Sequence, residues 1–162
     1  MYNDARFILV VLDNQTTAMT GMQPTPGLGI RADGSKGKAI SLERVIAGCG
    51  VDFIEVIDPY DTDAMTALVK KAARYVEAPD GGVAAIIARH PCVIAYRDQA
   101  IQNRVPVKVT DDCVECDFCH QRFECPALYK DDQLGRTAVN QALCAQCGVC
   151  LKICPKGAIV AA

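Results

Sequence analysis

Two stretches decide how the C-terminal part of this chain folds: residues 113–126 read CVECDFCHQRFECP, and residues 144–155 read CAQCGVCLKICP. Each stretch holds three cysteines at intervals of three residues, followed by a more distant Cys-Pro pair. Together they form an internal repeat of roughly 30 residues and contain eight of the ten cysteines in the chain. Because the sequence shows no export signal, this clustering favours a metal centre over disulfide bonds.

The spacing of these cysteines predicts iron–sulfur clusters. Each iron of a cubane cluster takes one soft thiolate, so a short loop can bind three irons while a separate segment binds the fourth. Zinc is the alternative, although structural zinc sites usually take their cysteines in pairs. We expect His120 to be a surface histidine, because a complete set of eight thiolates leaves it no ligand position. Cys49 and Cys92 lie outside both stretches and are expected to be buried free thiols.

The two stretches resemble the cysteine runs of two-cluster bacterial ferredoxins, in which the fourth cysteine of each run binds the other cluster. The resemblance implies two 4Fe-4S clusters within one small ferredoxin-like α+β domain at residues 105–162. One cluster would be held by Cys113, Cys116, Cys119 and Cys154, and the other by Cys125, Cys144, Cys147 and Cys150. The first run has five residues between its last two cysteines where three are usual, so we expect an enlarged loop at residues 120–124.

The upstream part of the chain alternates strand and helix patterns. Apolar, β-branched residues 6–13 predict a buried strand ending in the turn signal Asp13-Asn14. A long glycine-rich loop follows to residue 38, and loops of this length are usually functional. The remaining predicted elements are a helix at 41–48 with Ser41 as its N-cap, a strand at 52–57, a helix at 62–76 and a strand at 83–88.

This order of elements predicts the α/β class, with a parallel sheet and crossover helices in residues 1–104. Residues 92–96 either extend the last strand or follow it. We place the domain boundary between Asn103 and Val107, where the composition becomes rich in cysteine.

The charge and hydropathy of the chain limit its partners. The formal net charge is −2 and is divided evenly along the sequence, so neither part offers a basic face for nucleic acid. No apolar run approaches the roughly 20 residues needed to cross a bilayer. We therefore expect a cytoplasmic protein that contacts neither nucleic acid nor membrane.

A second motif lies in the glycine-rich loop, where residues 12–27 read LDNQTTAMTGMQPTPG. It resembles the diphosphate-binding loop of thiamine-diphosphate 2-oxoacid:ferredoxin oxidoreductases, and most closely the C-terminal part of the indolepyruvate ferredoxin oxidoreductase alpha subunit. Two further segments, IDPYD at 57–61 and IARHPC at 87–92, stand in that family's order before the cysteine runs. The resemblance covers essentially the whole chain.

The resemblance implies part of a thiamine-diphosphate-binding domain in residues 1–104, with a magnesium ion between protein and cofactor. Asn14 would supply a side-chain oxygen and Thr16 a backbone carbonyl to Mg²⁺, which prefers oxygen ligands. Thr17, Thr20 and Gln23 would line the loop. It implies no catalytic acid, base or nucleophile among the side chains of this chain.

The sequence departs from the family pattern in two ways. Met22 stands where the family has histidine, so one polar contact near the cofactor or substrate is expected to be missing. The upstream Gly-Asp segment that supplies the other magnesium ligand is not expected in a chain that begins at Met1. A partner chain would then complete the site, and the isolated chain would be inactive. The sheet edge left open by the missing strands would also need a cover, which favours a hetero-oligomer.

The resemblance favours an enzyme subunit that takes part in oxidative decarboxylation of a 2-oxo acid, of the indolepyruvate or aryl pyruvate type, to acyl-coenzyme A. Its partners would be the other subunits, the 2-oxo acid, coenzyme A, and ferredoxin or another acceptor that receives single electrons from the two clusters. The alternative is an electron-transfer subunit of a larger redox complex without thiamine chemistry of its own. A zinc-binding interaction module is a third possibility.

Overall fold

The computed structural model of the chain describes residues 3–96 and 104–162. The chain divides into two compact units, Met1–Ala100 and Ile101–Ala162. Asn103, the upstream limit of the predicted domain boundary, lies outside the described residues. No helix in the described ranges is long and apolar enough to cross a membrane.

The first unit is an α/β domain, as the alternating pattern predicts. Its strands are β1 (Ile8–Asp13), β2 (Phe53–Ile57) and β3 (Ala84–Arg89), and its helices are α1 (Leu42–Gly48) and α2 (Thr62–Glu77). The strands form a parallel sheet in the order β1-β3-β2. Two single 3-10 turns, Ala18–Thr20 and Pro26–Leu28, interrupt the long loop after β1.

The helix starts follow from capping side chains. The Ser41 side chain accepts a hydrogen bond from the Arg44 backbone N–H, which confirms Ser41 as the N-cap of α1. The Asp61 carboxylate accepts from Ala64 in the same way at the start of α2. Each cap satisfies a backbone donor that has no partner within its helix, so both helices begin where the sequence provides a capping oxygen.

Strand β3 is the core of this unit. Its residues Ala84 to Ala88 are at most 4% exposed. Ala84 and Ile86 pack with Ala72 of α2, whereas Ala85 packs with Val51 and Val83, because successive strand residues point to opposite faces of a sheet. β1 in contrast lies at the sheet edge, and apolar side chains are exposed at Phe7 just before the strand and at Leu9, Val10 and Leu12 within it.

The structure decides between the two alternatives for residues 92–96, which follow the last strand and do not extend it. Residues 93–96 form a turn and not a strand. The Cys92 backbone N–H donates to the Asn14 carbonyl at 3.0 Å, and the Tyr96 N–H donates back to the Cys92 carbonyl. The chain after β3 therefore leaves the sheet and folds beside the loop that follows β1.

The second unit contains two short antiparallel strand pairs. β4 (Val107–Val109) pairs with β7 (Ile159–Ala161), and β5 (Leu128–Asp131) pairs with β6 (Arg136–Val139). A π-helical turn, Cys119–Phe123, and a short helix α3, Cys150–Ile153, connect them. The core consists of Val107, Leu128, Cys150 and Ile159. This is the small α+β arrangement expected from the cysteine runs.

Candidate cofactor sites

Four of the predicted ligand cysteines surround one apolar pocket in the second unit. Cys113, Cys116 and Cys119 come from the first cysteine run and Cys154 from the second. The rest of the pocket wall includes Val109, Val114 and Ile159. The structure therefore places together the same four side chains that the ferredoxin resemblance assigns to one cluster.

The other four cysteines form a second group around Cys150, which is buried. Burial raises the pKa of the Cys150 thiol to about 11, and the neighbouring thiols of Cys147, Cys125 and Cys144 add to that rise. A thiol in this position stays protonated at neutral pH unless a cationic centre displaces the proton, as metal coordination does. The four soft donors thus fit an iron–sulfur cluster, with Cys125 contributed by the opposite run.

Left-handed backbone conformations shape both cysteine loops in the same way. In the first run, Glu115 and Asp117 flank Cys116 with φ values of 49° and 55°. In the second run, Gln146 and Gly148 flank Cys147 with φ values of 58° and 72°. Such conformations reverse the chain on either side of the middle cysteine, and all but the glycine adopt them at some steric cost. The sequence repeat is therefore also a repeat of backbone geometry.

In the first cysteine group, backbone N–H groups also act on the sulfur of Cys154. Although burial opposes ionisation, backbone N–H groups of residues 156–159 hold the pKa of the Cys154 thiol below its usual range. Gly157, at φ 66°, allows the tight turn that aims them at the sulfur. Hydrogen bonds to ligand sulfurs are one of the factors that set cluster potentials. Within the described ranges no three His, Cys, Asp or Glu side chains are gathered tightly enough to hold a single metal ion.

His120, in the enlarged loop of the first run, was expected to be a surface histidine, and the structure differs. Its Nε2 lies 3.0 Å from Thr137 Oγ1, and that hydroxyl lies 3.5 Å from Cys119 Sγ. His120 is half-buried and contacts the wall of the first cysteine group, so it is not a simple surface histidine. The expectation for Cys49 is wrong as well, because Cys49 is exposed at the end of α1, whereas Cys92 is half-buried.

In the first unit, the candidate magnesium ligands lie at the start of the loop after β1. Asn14 Oδ1 accepts a hydrogen bond from the Thr16 backbone N–H at 3.1 Å, and Gln15 between them has a left-handed φ of 60°. Asn14 is an exposed residue, and its amide oxygen keeps a second lone pair for a ligand. Thr16 is 4% exposed. A side-chain oxygen and a nearby backbone carbonyl are donors that fit Mg²⁺.

Thr17 and Thr20 both form hydrogen bonds with Gln23. Thr17 Oγ1 donates to the Gln23 backbone carbonyl at 2.9 Å, and its backbone forms an isolated bridge with Gln23. Thr20 Oγ1 donates to Gln23 Oε1 at 2.9 Å. Gly21 permits the turn between them at φ 111°, where an added Cβ would come within 3.0 Å of the Gln23 amide. These three side chains therefore fix the shape of the loop.

A charged network that sequence reasoning missed lies beside this loop. Arg89 Nε is 2.7 Å from Asp13 Oδ2, and Arg89 Nη1 is 2.8 Å from Glu43 Oε1. Asp13 and Arg89 are direct partners in the parallel ladder between β1 and β3. A cavity of about 530 Å³ opens next to the network and is bordered by Gln15 and Ser41 as well, a size typical of small-molecule sites. The network joins the last residue of β1 to the first turn of α1.

The network lowers the pKa of the Glu43 carboxylate. Hydrogen bonds from Arg89 and Ser41 lower its pKa from 4.5 to about 2. Because the folded-state pKa is depressed, the stabilisation is fully present above about pH 4.5 and is lost as the pH falls through about 2. At neutral pH the Arg89 bridge is therefore at full strength.

We expect Arg89→Ala to loosen the loop locally. Both carboxylates would lose a charge-assisted hydrogen bond, so amide hydrogen exchange at the end of β1 and the start of α1 should accelerate on the order of tenfold at neutral pH. Lys71→Ala is the matched control, because the Lys71–Glu55 pair is largely exposed and should matter little. Equal exchange in wild type and Arg89→Ala would show that the network does not hold the loop.

A histidine lies at the same end of the sheet, directly after the last residue of β3. His90 Nδ1 is 3.1 Å from the carboxylate of Asp58, which follows β2, and the Tyr60 ring meets the His90 ring edge-on at 4.2 Å. The His90 backbone N–H donates to the Asp13 carbonyl at 3.0 Å. The two segments quoted above, 57–61 and 87–92, thus meet beside the loop.

Comparison with protein families gives two matches. Residues 1–87 match the family described as thiamine pyrophosphate enzyme, C-terminal TPP binding domain. Residues 137–160 match the 4Fe-4S binding domain family. The first match includes the candidate magnesium loop, and the second includes the whole second cysteine run and begins at Thr137.

Similar proteins include indolepyruvate oxidoreductase subunits named IorA. The protein from Archaeoglobus fulgidus is 45% identical over 98% of this chain, and that from Methanothermobacter marburgensis is 38% identical over 98%. The protein from Thermococcus kodakarensis is 37% identical over 96%. This chain spans about a quarter of the length of these relatives, between 24% and 25%. No solved structure matches the chain.

Proposed function

We infer the function of this chain from its family. The chain belongs to the thiamine pyrophosphate enzyme family, through a C-terminal TPP binding domain, and carries a 4Fe-4S binding domain as well. It would act as a subunit of a 2-oxoacid:ferredoxin oxidoreductase of the indolepyruvate or aryl pyruvate type. In this reaction the 2-oxo acid is decarboxylated, the acyl group passes to coenzyme A, and two electrons leave singly through two 4Fe-4S clusters.

The observation that carries this proposal is the crossed grouping of the eight cysteines. Cys154 joins the three cysteines of the first run around one pocket, and Cys125 joins those of the second run around Cys150. We assign one cluster to each group and the cluster-binding role to residues 105–162. Two one-electron centres in one small domain suit an enzyme whose chemistry releases a pair of electrons.

The thiamine site is assigned to residues 1–104. Asn14 Oδ1 and the Thr16 carbonyl would hold Mg²⁺, while Thr17, Thr20 and Gln23 keep the loop in shape. Thiamine diphosphate supplies the carbanion chemistry, and the protein supplies its position and surroundings. Arg89 and its carboxylate partners connect the strand before the loop to the helix after it. The remaining magnesium ligand and the pyrimidine-binding part would come from residues outside this sequence.

The exposed edge strand of the sheet, β1, is a candidate binding surface for partner subunits. Leu12 is 80% exposed at the end of β1, and Leu9 and Val10 on the same edge strand are 39% and 42% exposed. An apolar edge strand with unpaired backbone groups is one that natural proteins cover. We therefore propose that other parts of a hetero-oligomeric oxidoreductase pack on β1. The acceptor of the electrons would be ferredoxin or another one-electron carrier.

The cofactor content of the anaerobically purified complex tests the proposal. We expect about eight irons per copy of this chain, one bound thiamine diphosphate, and reduction of ferredoxin when an aryl 2-oxo acid and coenzyme A are added. Eight irons without thiamine diphosphate, in a complex that no 2-oxo acid reduces, would leave the electron-transfer alternative. Bound zinc with no visible absorbance that bleaches on reduction would leave the interaction module.

A further inference from the structure

The first cysteine group has a hydroxyl at its wall. Thr137 Oγ1 lies 3.5 Å from Cys119 Sγ, and His120 Nε2 lies 3.0 Å from the same Oγ1. Thr137 is 5% exposed, and it lines the apolar pocket that the four cysteines surround. The hydroxyl is therefore a polar group buried against a candidate cluster ligand.

The π-helical turn explains why His120 reaches this hydroxyl. The extra residues between Cys119 and Cys125 form the turn Cys119–Phe123, which ends at Glu124 with a left-handed φ of 53°. The turn carries His120 toward β6, where Thr137 is the second residue. The enlarged loop that distinguishes the first run from the second is thus the element that adds a partner to Thr137.

The direction of the hydrogen bonds follows from the number of protons. A threonine hydroxyl has one proton to donate and lone pairs to accept with. A cysteine bound to iron is a thiolate, which can only accept. Both contacts of Thr137 are satisfied when His120 Nε2–H donates to Oγ1 and the Thr137 hydroxyl donates to Cys119 Sγ.

We propose that Thr137, oriented by His120, is a positioning residue that raises the reduction potential of the cluster held by Cys113, Cys116, Cys119 and Cys154. This inference rests on the proposed function, since it requires a cluster at that group. Reduction adds negative charge to the ligand sulfurs, so a donor aimed at Cys119 Sγ stabilises the reduced state more than the oxidised state. In an apolar, low-dielectric wall the bond is stronger than it would be in water.

The second cysteine group has a different environment. There Cys144 Sγ accepts from the Gln146 backbone N–H at 3.4 Å, and within residues 104–162 the structure records no side-chain hydroxyl bonded to Cys125, Cys144, Cys147 or Cys150. The Thr137 hydroxyl therefore acts on one group alone. The second group serves as an internal reference for the first.

Thr137→Val tests the inference, because valine keeps the shape of threonine and removes its donor. Redox titration of the purified complex by electron paramagnetic resonance should show a more negative midpoint for one cluster only. The ratio of reduced to oxidised cluster at a fixed potential should fall on the order of tenfold, which is about 59 mV for a one-electron couple. Thr137→Ser, which keeps the hydroxyl, should recover most of the wild-type potential. His120→Leu should shift the same cluster in the same direction by less.

Each outcome decides between the inference and its premise. An unchanged midpoint in Thr137→Val, with both cluster signals present, overturns the role of Thr137. A wild-type complex without two 4Fe-4S signals overturns the proposed function instead. If Thr137→Val does not assemble its cluster, His120→Leu decides: a negative shift supports the inference, and an unchanged potential overturns it.

Discussion

Replacing Cys154 by alanine is expected to remove the same four irons as replacing Cys119, although the two cysteines belong to different runs. Both line one apolar pocket with Cys113 and Cys116. A cubane cluster that loses one of four thiolate ligands without a substitute donor is not expected to survive purification. Each single variant should therefore retain about four of roughly eight irons, held by the group around Cys150.

Double variants separate the crossed arrangement from one cluster per run. Cys119→Ala with Cys154→Ala should still leave about four irons, because both residues serve one cluster. Cys150→Ala with Cys154→Ala should leave almost none, because the two residues serve different clusters. Iron analysis and the intensity of the 4Fe-4S resonance signals measure both. Cys49→Ala is the control: this cysteine is exposed in the other unit, and its loss should leave the iron content unchanged.

The reverse result would contradict the crossed arrangement. If each run held its own cluster, the Cys119 and Cys154 double variant would lose all its iron, and the Cys150 and Cys154 variant would keep half. The structure favours the crossed arrangement because Cys125, at the end of the first run, packs against the core cluster that contains Cys150 of the second run. The Cys125 thiol also adds to the rise in the pKa of Cys150.

The regular elements could be predicted because their signals are local. Ser41 caps α1, the apolar residues of α2 recur with the helical period, and the strands are short apolar segments between turn residues. The predicted ends agree with the structure to within one or two residues. The sheet order β1-β3-β2 was not predicted, because strand patterns do not identify their neighbours.

The parts that could not be predicted depend on register and on backbone conformation. The network of Arg89, Asp13 and Glu43 forms because β1 and β3 pair with Asp13 opposite Arg89. The sequence does show a charged residue at the end of each of these two strands. It does not show that the two residues lie opposite each other. At Gly148 the residue type itself indicates a left-handed conformation, whereas Glu115 and Asp117 adopt the same conformation without such a signal in the sequence. The sequence left residues 92–96 open because an apolar segment can pack as a turn as well as a strand.

Met22 shows how the structure sharpens a departure from the family pattern. Its backbone is left-handed, with φ 62°, and its side chain is 41% exposed. Histidine, asparagine and aspartate adopt this conformation more readily than methionine does. Compared with the histidine that the family resemblance implies, methionine would lack a polar side chain and would also be less suited to this turn. The bonds from Thr17 and Thr20 to Gln23 hold the loop on either side of it.

Asn14→Ala is expected to abolish tight binding of magnesium and thiamine diphosphate by the purified complex. Asn14 provides the only side-chain oxygen that we assign to Mg²⁺ in this chain, and even changes in the residues that support metal ligands cost about 10- to 100-fold in affinity. The magnesium concentration needed for half-maximal cofactor retention should rise by at least that factor. Iron content should not change, because the eight cysteines proposed to hold the clusters lie in the other unit.

Asn14 also accepts a hydrogen bond from the Thr16 N–H, so a loss of cofactor could reflect a distorted turn. Asn14→Asp separates the two effects, because aspartate keeps an oxygen for both Thr16 and Mg²⁺. It should retain the cofactor, whereas Asn14→Ala should lose it, and Asn3→Ala, at an exposed position, should behave like wild type. If Asn14→Ala binds magnesium and thiamine diphosphate as tightly as wild type, Asn14 is not a ligand. The role of Asn14 would then be only to stabilise the turn at the start of the loop.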